Sequence, residues 1–128
     1  MEIIIDKKTI LIKGKTYIEK FKGSIFVLKY GGSTLDDEKI SHSILEDIVY
    51  PSQQGIKIAI VHGGGNAITR LMQKYGKAPQ FIDGLRVTDE ETAIIVDKAL
   101  TGINADIVND IKKLGQKAAS VISREHGV

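Results

Sequence analysis

Three short runs of apolar residues, each bounded by turn-forming residues, mark predicted strands along the chain. They cover residues 25–28, 56–61 and 117–122. Their hydrophobicity is nearly continuous instead of alternating, which is typical of strands buried on both faces of a sheet. The pattern therefore predicts a buried core sheet.

Between the predicted strands, apolar residues recur at the three- and four-residue spacing of amphipathic helices. This spacing predicts helices over residues 8–22, 37–50, 66–75 and 88–114. Gly14 and Gly102 are possible breaks within the first and last of them. Pro51 is expected to stop the second, because proline cannot donate a backbone hydrogen bond to the preceding turn.

Two local signals precede the last predicted helix. Asp83-Gly84 lies between alternating residues, which is typical of a tight β-hairpin turn. Thr88 and Glu91 have the spacing of a capping box, which predicts a helix start at Thr88. The order strand, helix, strand, hairpin, helix, strand then predicts an α/β fold with a mainly parallel sheet.

Composition narrows the class of protein. The 128 residues are 42% hydrophobic and 27% charged, with a formal net charge of +2, so no strong field would attract nucleic acid. Cysteine is absent, which excludes disulfides and thiolate metal sites. No apolar run approaches the ~20 residues of a membrane span, and the start does not resemble a signal peptide. We therefore expect a cytoplasmic protein that binds neither nucleic acid nor membrane.

Two glycine-rich segments each follow a predicted strand and lead towards a helix. The first glycine loop contains Gly31 and Gly32, and the second contains Gly63, Gly64 and Gly65. In parallel α/β sheets, ligands bind at the carboxyl ends of the strands. Glycines there let backbone amides approach an anion. The two loops are therefore predicted to face one crevice.

Two cationic residues flank these loops. Lys29 ends the first strand and could stabilise a phosphoryl group, or it could be an ordinary surface lysine. Arg86 follows the predicted hairpin turn and has the planar fork that matches a carboxylate, although a surface ion pair would explain it equally well. The residues alone leave both alternatives open.

Other candidate motifs are weaker. His62 beside the second loop could be catalytic, but a hydrogen-bonded structural role is the better interpretation. A dinucleotide-binding motif would need glycine or alanine where Ile68 stands. Three scattered histidines make a histidine-based metal site improbable, and no metal ligand is assigned.

Three motifs together resemble those of acetylglutamate kinases, which belong to the amino acid kinase family. They are the segments 27–32, 61–65 and 81–89. They occur in the family's order and spacing, and the resemblance extends from about Tyr17 to the end of the chain. It implies a three-layer α/β/α sandwich, truncated here, that catalyses ATP-dependent phosphorylation of the side-chain carboxylate of N-acetyl-L-glutamate in arginine biosynthesis.

The resemblance also implies roles for particular residues. Lys29 would be catalytic and, with Gly31 and Gly32, would bind the phosphates of ATP, whose magnesium arrives with the nucleotide.

The same resemblance assigns the acceptor side of the reaction. The residues that would bind acetylglutamate are Gly64, Gly65, Arg86 and Asn104. Arg86 would hold the carboxylate that does not react.

The resemblance divides the chain into an N-terminal helical segment, residues 1–23, and an acetylglutamate-binding lobe, residues 24–128, with the nucleotide-binding lobe absent. The first segment is similar to the helix that interlaces dimers in hexameric, arginine-inhibited relatives. A homo-oligomer, at least a dimer, and an arginine effector are therefore expected.

Several alternatives stay open from the sequence. The acceptor could be a related acylated amino acid such as acetylaminoadipate, since one methylene alters binding by only ~1–3 kcal/mol. The chain could also be a non-catalytic binding or assembly module. Residues 123–125 depart from the family's glycine-containing turn, and the isolated chain is predicted to be inactive without a C-terminal half.

Overall fold

The structure, a computed structural model, describes residues 7–122, without the side chains of residues 7–11 and 33. In chain order, its elements are α1 (Lys7–Phe21), β1 (Ile25–Tyr30), a 3₁₀ turn (Gly32–Leu35), α2 (Glu38–Gln53), β2 (Lys57–His62), α3 (Gly65–Lys74), β3 (Phe81–Ile82), β4 (Leu85–Arg86) and α4 (Glu90–Lys113).

Strands β1 and β2 form a parallel pair over six residues each, from Ile25 opposite Lys57 to Tyr30 opposite His62. This confirms the first two predicted strands and their parallel arrangement. The third predicted strand, residues 117–122, is wrong, because that segment has no strand structure. This segment, β2 and α4 line a cavity of about 790 Å³, and among the described residues β2 pairs only with β1.

The parallel pair has one packed face and one open face. Tyr30 and Ile60 belong to the larger core cluster, together with Leu45 of α2 and Ile107 of α4. Leu28, which is half-buried, lies on the same face of β1 as Tyr30. On the opposite face, the apolar side chains of both strands are exposed: Ile25, Val27, Ala59 and Val61. The predicted burial on both faces is therefore wrong for the described residues, since side chains cover only one face.

Helix α2 continues through Pro51 to Gln53, so the predicted stop at Pro51 is wrong. The missing proline N–H affects only the preceding turn, and the carbonyl of Pro51 still accepts hydrogen bonds from Gln54 and Ile56 at 3.1 and 3.2 Å. At the other end, the Asp37 side chain accepts from the backbone N–H groups of Lys39 and Ile40, which caps the helix.

Helices α1 and α4 both run without interruption, so the possible breaks at Gly14 and Gly102 do not occur. The predicted capping box is also wrong. Asp89 caps α4, since its carboxylate accepts from the N–H of Thr92 at 2.8 Å, whereas the Thr88 hydroxyl donates to the carbonyl of Arg86. Thr88 and Asp89 are both suitable capping residues. The Thr88 hydroxyl is already bonded to the carbonyl of Arg86 at the end of the hairpin, and Asp89 caps the helix.

The predicted hairpin is confirmed. Strands β3 and β4 pair antiparallel, with Ile82 opposite Leu85. Asp83 and Gly84 have φ values of 50° and 79°, the left-handed conformations that a type I′ turn requires. The hairpin ends at Arg86, whose side chain contacts helix α3. Helix α3 in turn packs against α4, with Ile68 and Met72 of α3 meeting Ile95 and Ala99 of α4.

Candidate functional site

The two glycine loops lie side by side at the carboxyl ends of β1 and β2. The N–H of Gly63 donates to the carbonyl of Tyr30 at 2.9 Å, which extends the strand pairing into the loops. A Cβ atom on Gly31 would lie 3.3 Å from the backbone nitrogen of Gly63, so the loops are in direct backbone contact. This arrangement places two potential anion-binding backbones next to each other.

A cavity of about 930 Å³ opens between the loops. Glycines of both loops line it, namely Gly32 from the first and Gly64 and Gly65 from the second. The first turn of α2, the first turns of α3 and the C-terminal half of α4 complete its walls. The cavity is large enough for a small-molecule ligand.

Glycine is needed in these loops for different reasons. Gly32 has a φ of 73°, a conformation that L side chains rarely adopt. A Cβ on Gly64 would lie 2.8 Å from both Ile103 and Leu100 of α4. Gly63 and Gly65, by contrast, face open space and do not have positive φ values. The fold itself does not require glycine at these two positions. Close approach of the backbone to a ligand would explain why glycine stands there.

Arg86 is held against the start of α3. Its Nη2 donates to the Thr69 hydroxyl at 2.9 Å and to the Gly65 carbonyl at 3.2 Å, and its Nη1 donates to the sulfur of Met72 at 3.1 Å. The guanidinium carbon also lies 4.8 Å from the centre of the Phe81 ring, a cation–π contact. The structure thus brings together Arg86 and Gly65, two of the predicted acceptor-binding residues.

Asn104 lies behind the second loop. Its Nδ2 is 3.3 Å from Nε2 of His62, and Nδ1 of His62 is 3.1 Å from the carbonyl of Gly63. Because a carbonyl only accepts, the hydrogen of the neutral ring belongs on Nδ1, and Nε2 accepts from Asn104. Asn104 and His62 line the second cavity beside β2. The structure therefore connects Asn104 to the second loop through His62.

The Oδ1 atom of Asn104 is buried and has no hydrogen-bond partner among residues 7–122. A buried acceptor without a partner is unfavourable by about 1–3 kcal/mol.

Lys29 stands apart from these contacts. It lies on the exposed face of β1, opposite Val61 in the register, and next to Tyr30, whose side chain points into the core. Lys29 makes no ion pair with any residue that the structure describes. Its position at the strand end agrees with the sequence prediction, but no contact joins it to Arg86.

Asp36 joins the segment after the first loop to the start of α3. It accepts a hydrogen bond from the Asn66 side-chain amide and forms an ion pair with Arg70 at 2.7 Å. The Asn66 hydrogen bond, followed by that of Arg70, lowers the pKa of the Asp36 carboxyl below its ordinary value. These side-chain contacts of Asp36 hold the two loops together in addition to their backbone contact.

Sequence reasoning missed Asp36, Asn66, Arg70 and Thr69. Asp36 and Asn66 are 30 residues apart, and nothing in the spacing signals their pairing. Thr69, however, lies one helical turn after Gly65, and this spacing places both on the same face of α3. That signal was available from the sequence.

Within residues 7–122, no group of three or more histidine, aspartate or glutamate side chains is arranged to hold a metal ion. Among the helices in this part of the chain, none is both long and apolar enough to span a membrane.

Comparison with known proteins identifies the fold and its family. Residues 24–124 match the model of the amino acid kinase family. The chain belongs to this family. The predicted α/β class is confirmed, and the paired glycine loops occupy the strand ends of an amino acid kinase fold.

The chain is similar to several acetylglutamate kinases. It is 47% identical over 119 residues to the enzyme of Methanocaldococcus jannaschii, a match that covers 92% of this chain and 40% of the relative. It is 39% identical over 129 residues to the enzyme of Halothermothrix orenii, with 100% of this chain and 44% of the relative covered. The chain thus spans less than half the length of these relatives and corresponds to their N-terminal part.

Solved structures support the same fold. A Streptococcus mutans protein superimposes with a TM-score of 0.68 at 29% identity, over 79% of this chain and 40% of that one. N-acetylglutamate synthase of Neisseria gonorrhoeae, solved with coenzyme A and L-arginine, has a TM-score of 0.65 at 22% identity, over 92% of this chain and 27% of that one. The second likeness concerns the fold alone.

Proposed function

We propose that this chain supplies the acceptor-binding half of an acetylglutamate kinase. In the reaction, a side-chain carboxylate oxygen of N-acetyl-L-glutamate attacks the γ-phosphorus of ATP. A new P–O bond forms, the bond to ADP breaks, and an acyl phosphate results. The observation that carries the proposal is the contact of the two glycine loops, since this transfer requires a phosphate chain and a carboxylate next to each other.

On the acceptor side, Gly64 and Gly65 offer backbone amides at the start of α3, where the helix dipole favours negative charge. Arg86, already bound to the Gly65 carbonyl, holds the carboxylate that does not react. Asn104 acts on this side through His62, which contacts the loop at Gly63.

On the phosphate side, Gly31 and Gly32 approach the phosphates of ATP with their backbone amides, and Lys29 neutralises charge on the moving phosphoryl group. Magnesium would shield the phosphate charges of the bound nucleotide. In this proposal the phosphate oxygens of the nucleotide would hold the magnesium, which arrives with ATP.

The proposal extends to organisation. We assign residues 1–23 to an N-terminal segment, of which residues 1–6 lie outside the described residues. Residues 24–128 are assigned to the acceptor-binding lobe, of which residues 123–128 lie outside them. Tyr17 and Ile12 of α1 are exposed, which suits a helix that contacts another protomer in a homo-oligomer. A cytoplasmic location and an arginine effector complete the proposal.

A second candidate, a binding module without catalysis, is favoured by the open face of the β1–β2 pair. Ile25, Val27 and Val61 are 68%, 69% and 56% exposed there, beside Lys29. A catalytic lysine on an uncovered sheet face lacks the water-excluding surroundings that strengthen charge stabilisation.

Calorimetry separates these functions. The chain is titrated with N-acetyl-L-glutamate and with MgATP, and phosphorylation is then assayed with the chain alone and with the C-terminal half of a related kinase added. Binding of acetylglutamate, with turnover only in the mixture, is expected. Binding of acetylglutamate without turnover in either sample would favour the module, and failure to bind acetylglutamate would contradict the proposed function.

A further inference from the structure

The guanidinium of Arg86 is already partly committed to protein acceptors. Of its five N–H groups, three are engaged by Thr69, Gly65 and Met72, which leaves one on Nε and one on Nη1. The Phe81 ring restricts its movement further. A long, flexible side chain is thereby held in one orientation.

We propose that Thr69 is the positioning residue that orients Arg86 for the carboxylate of an acylated amino acid. This inference rests on the proposed function of Arg86. The shortest of the three contacts runs to the Thr69 hydroxyl, at 2.9 Å. Thr69 lies on helix α3, whose residues Ile68 and Met72 are buried against α4, so the backbone that carries its hydroxyl is held in place.

The Gly65 contact differs from the Thr69 contact. The Gly65 carbonyl lies in the first turn of α3, where it also serves as the intrahelical acceptor for the N–H of Thr69. Its bond from Arg86 is the longest of the three, at 3.2 Å. A ligand carboxylate displaces this bond most easily, because the carbonyl keeps its helix partner. The carboxylate then gains an Nη2 hydrogen, while Thr69 keeps the other.

The energetic role of Thr69 is preorganisation. Ordering a side chain rich in rotamers during binding weakens affinity by ~0.5–1.5 kcal/mol, which corresponds to a change of up to about tenfold. If Thr69 holds Arg86 beforehand, the ligand does not bear this entropy loss. Replacing the hydroxyl with a methyl group transfers the loss to the binding step.

The test compares two ligands by NMR titration of the full chain. N-acetyl-L-glutamate carries the carboxylate that Arg86 would hold, whereas 4-acetamidobutyrate is the same molecule without it. We expect Thr69→Val to weaken acetylglutamate binding roughly fivefold to tenfold and to leave 4-acetamidobutyrate binding unchanged. Thr69→Ser, which keeps the hydroxyl, should retain nearly wild-type affinity.

An Arg86→Gln background provides the matched control, since Thr69→Val should have no further effect there. Equal weakening of both ligands, an equal loss in the Arg86→Gln background, or unchanged acetylglutamate binding in Thr69→Val would each overturn the inference and leave the proposed function standing. A wild-type chain that does not bind acetylglutamate would overturn both.

Discussion

The two glycine loops look alike in the sequence but depend on glycine in different ways. In the first loop, Gly32 adopts a left-handed conformation and Gly31 touches the backbone of the neighbouring loop. In the second, Gly64 fits against side chains of α4, whereas Gly65 has nothing within 4 Å of an added Cβ. Three of these glycines therefore serve the fold, whereas the fold does not require glycine at Gly65, nor at Gly63.

This difference makes stability and binding separable. A glycine that the fold requires should lower stability when it is replaced, whatever its role in binding. A glycine that only a ligand requires should lower affinity and leave stability unchanged. Substitutions along the two loops can therefore divide structural from functional positions.

The largest expected effect is on ligand affinity in Gly65→Ala. The added methyl group would occupy the acceptor side of the cavity, and overpacking of ~1–3 kcal/mol corresponds to at least a severalfold loss and up to about a hundredfold loss of acetylglutamate affinity. Calorimetry should show this loss, while the urea midpoint stays the same or rises slightly. Gly102→Ala, also in a helix and facing open space, is the matched control and should leave affinity unchanged.

Gly64→Ala should lower the free energy of unfolding by about 1–2 kcal/mol, because its Cβ would overlap Ile103 and Leu100. Both obstructing atoms are the ends of flexible side chains, so we expect the lower part of the overpacking range. Urea unfolding measures the effect. In a Leu100→Ala background the added loss should shrink, and strict additivity of the two substitutions would contradict the packing explanation.

Gly32→Ala should lower the free energy of unfolding by about 1 kcal/mol, since alanine disfavours the left-handed conformation at φ 73°. Gly32→Asn should lose less, because asparagine tolerates this conformation better. Thermal and urea unfolding of the two variants provide the comparison. An alanine variant as stable as wild type would show that the loop relaxes to another backbone conformation.

The smallest effect concerns Asp36, which links the two loops at the surface. Its pKa is lowered in the folded state, so its carboxylate stabilises the fold above its ordinary pKa, near 4, and this contribution is lost as the pH falls through the lowered value. The difference in melting temperature between wild type and Asp36→Asn should therefore be largest near pH 7 and shrink towards pH 2. A difference that is independent of pH would rule out the charge as its cause.

Much of the fold was predictable because local signals were strong. The Asp83-Gly84 turn predicted the hairpin, and the apolar runs predicted β1 and β2 in parallel. The failures at residues 117–122 and Pro51 have a common cause. A strand depends on a partner edge, and the effect of a proline depends on which carbonyls remain satisfied, so local sequence decides neither.

The site was predictable only in part. Glycine spacing after adjacent strands correctly predicted that the loops meet, which the contact of Gly31 with Gly63 confirms. The partners of Arg86 and the pairing of Asp36 with Asn66 depend on how distant segments pack, and sequence periodicity carries no such information. Assignments of ligands to Lys29 and Arg86 stay predictions.

The backbone hydrogen bonds between β1 and β2, continued by the bond from Gly63 to Tyr30, set the distance between the two glycine loops. Neighbouring strands lie about 4.8 Å apart, so the two loop backbones that follow these strands begin at the same separation. Because main-chain atoms alone set the interval, exchanging one strand side chain for another should leave it intact. Only a change in strand register would alter how the loops face each other. A one-residue slip would move the Tyr30 side chain from the core to the opposite face of the sheet.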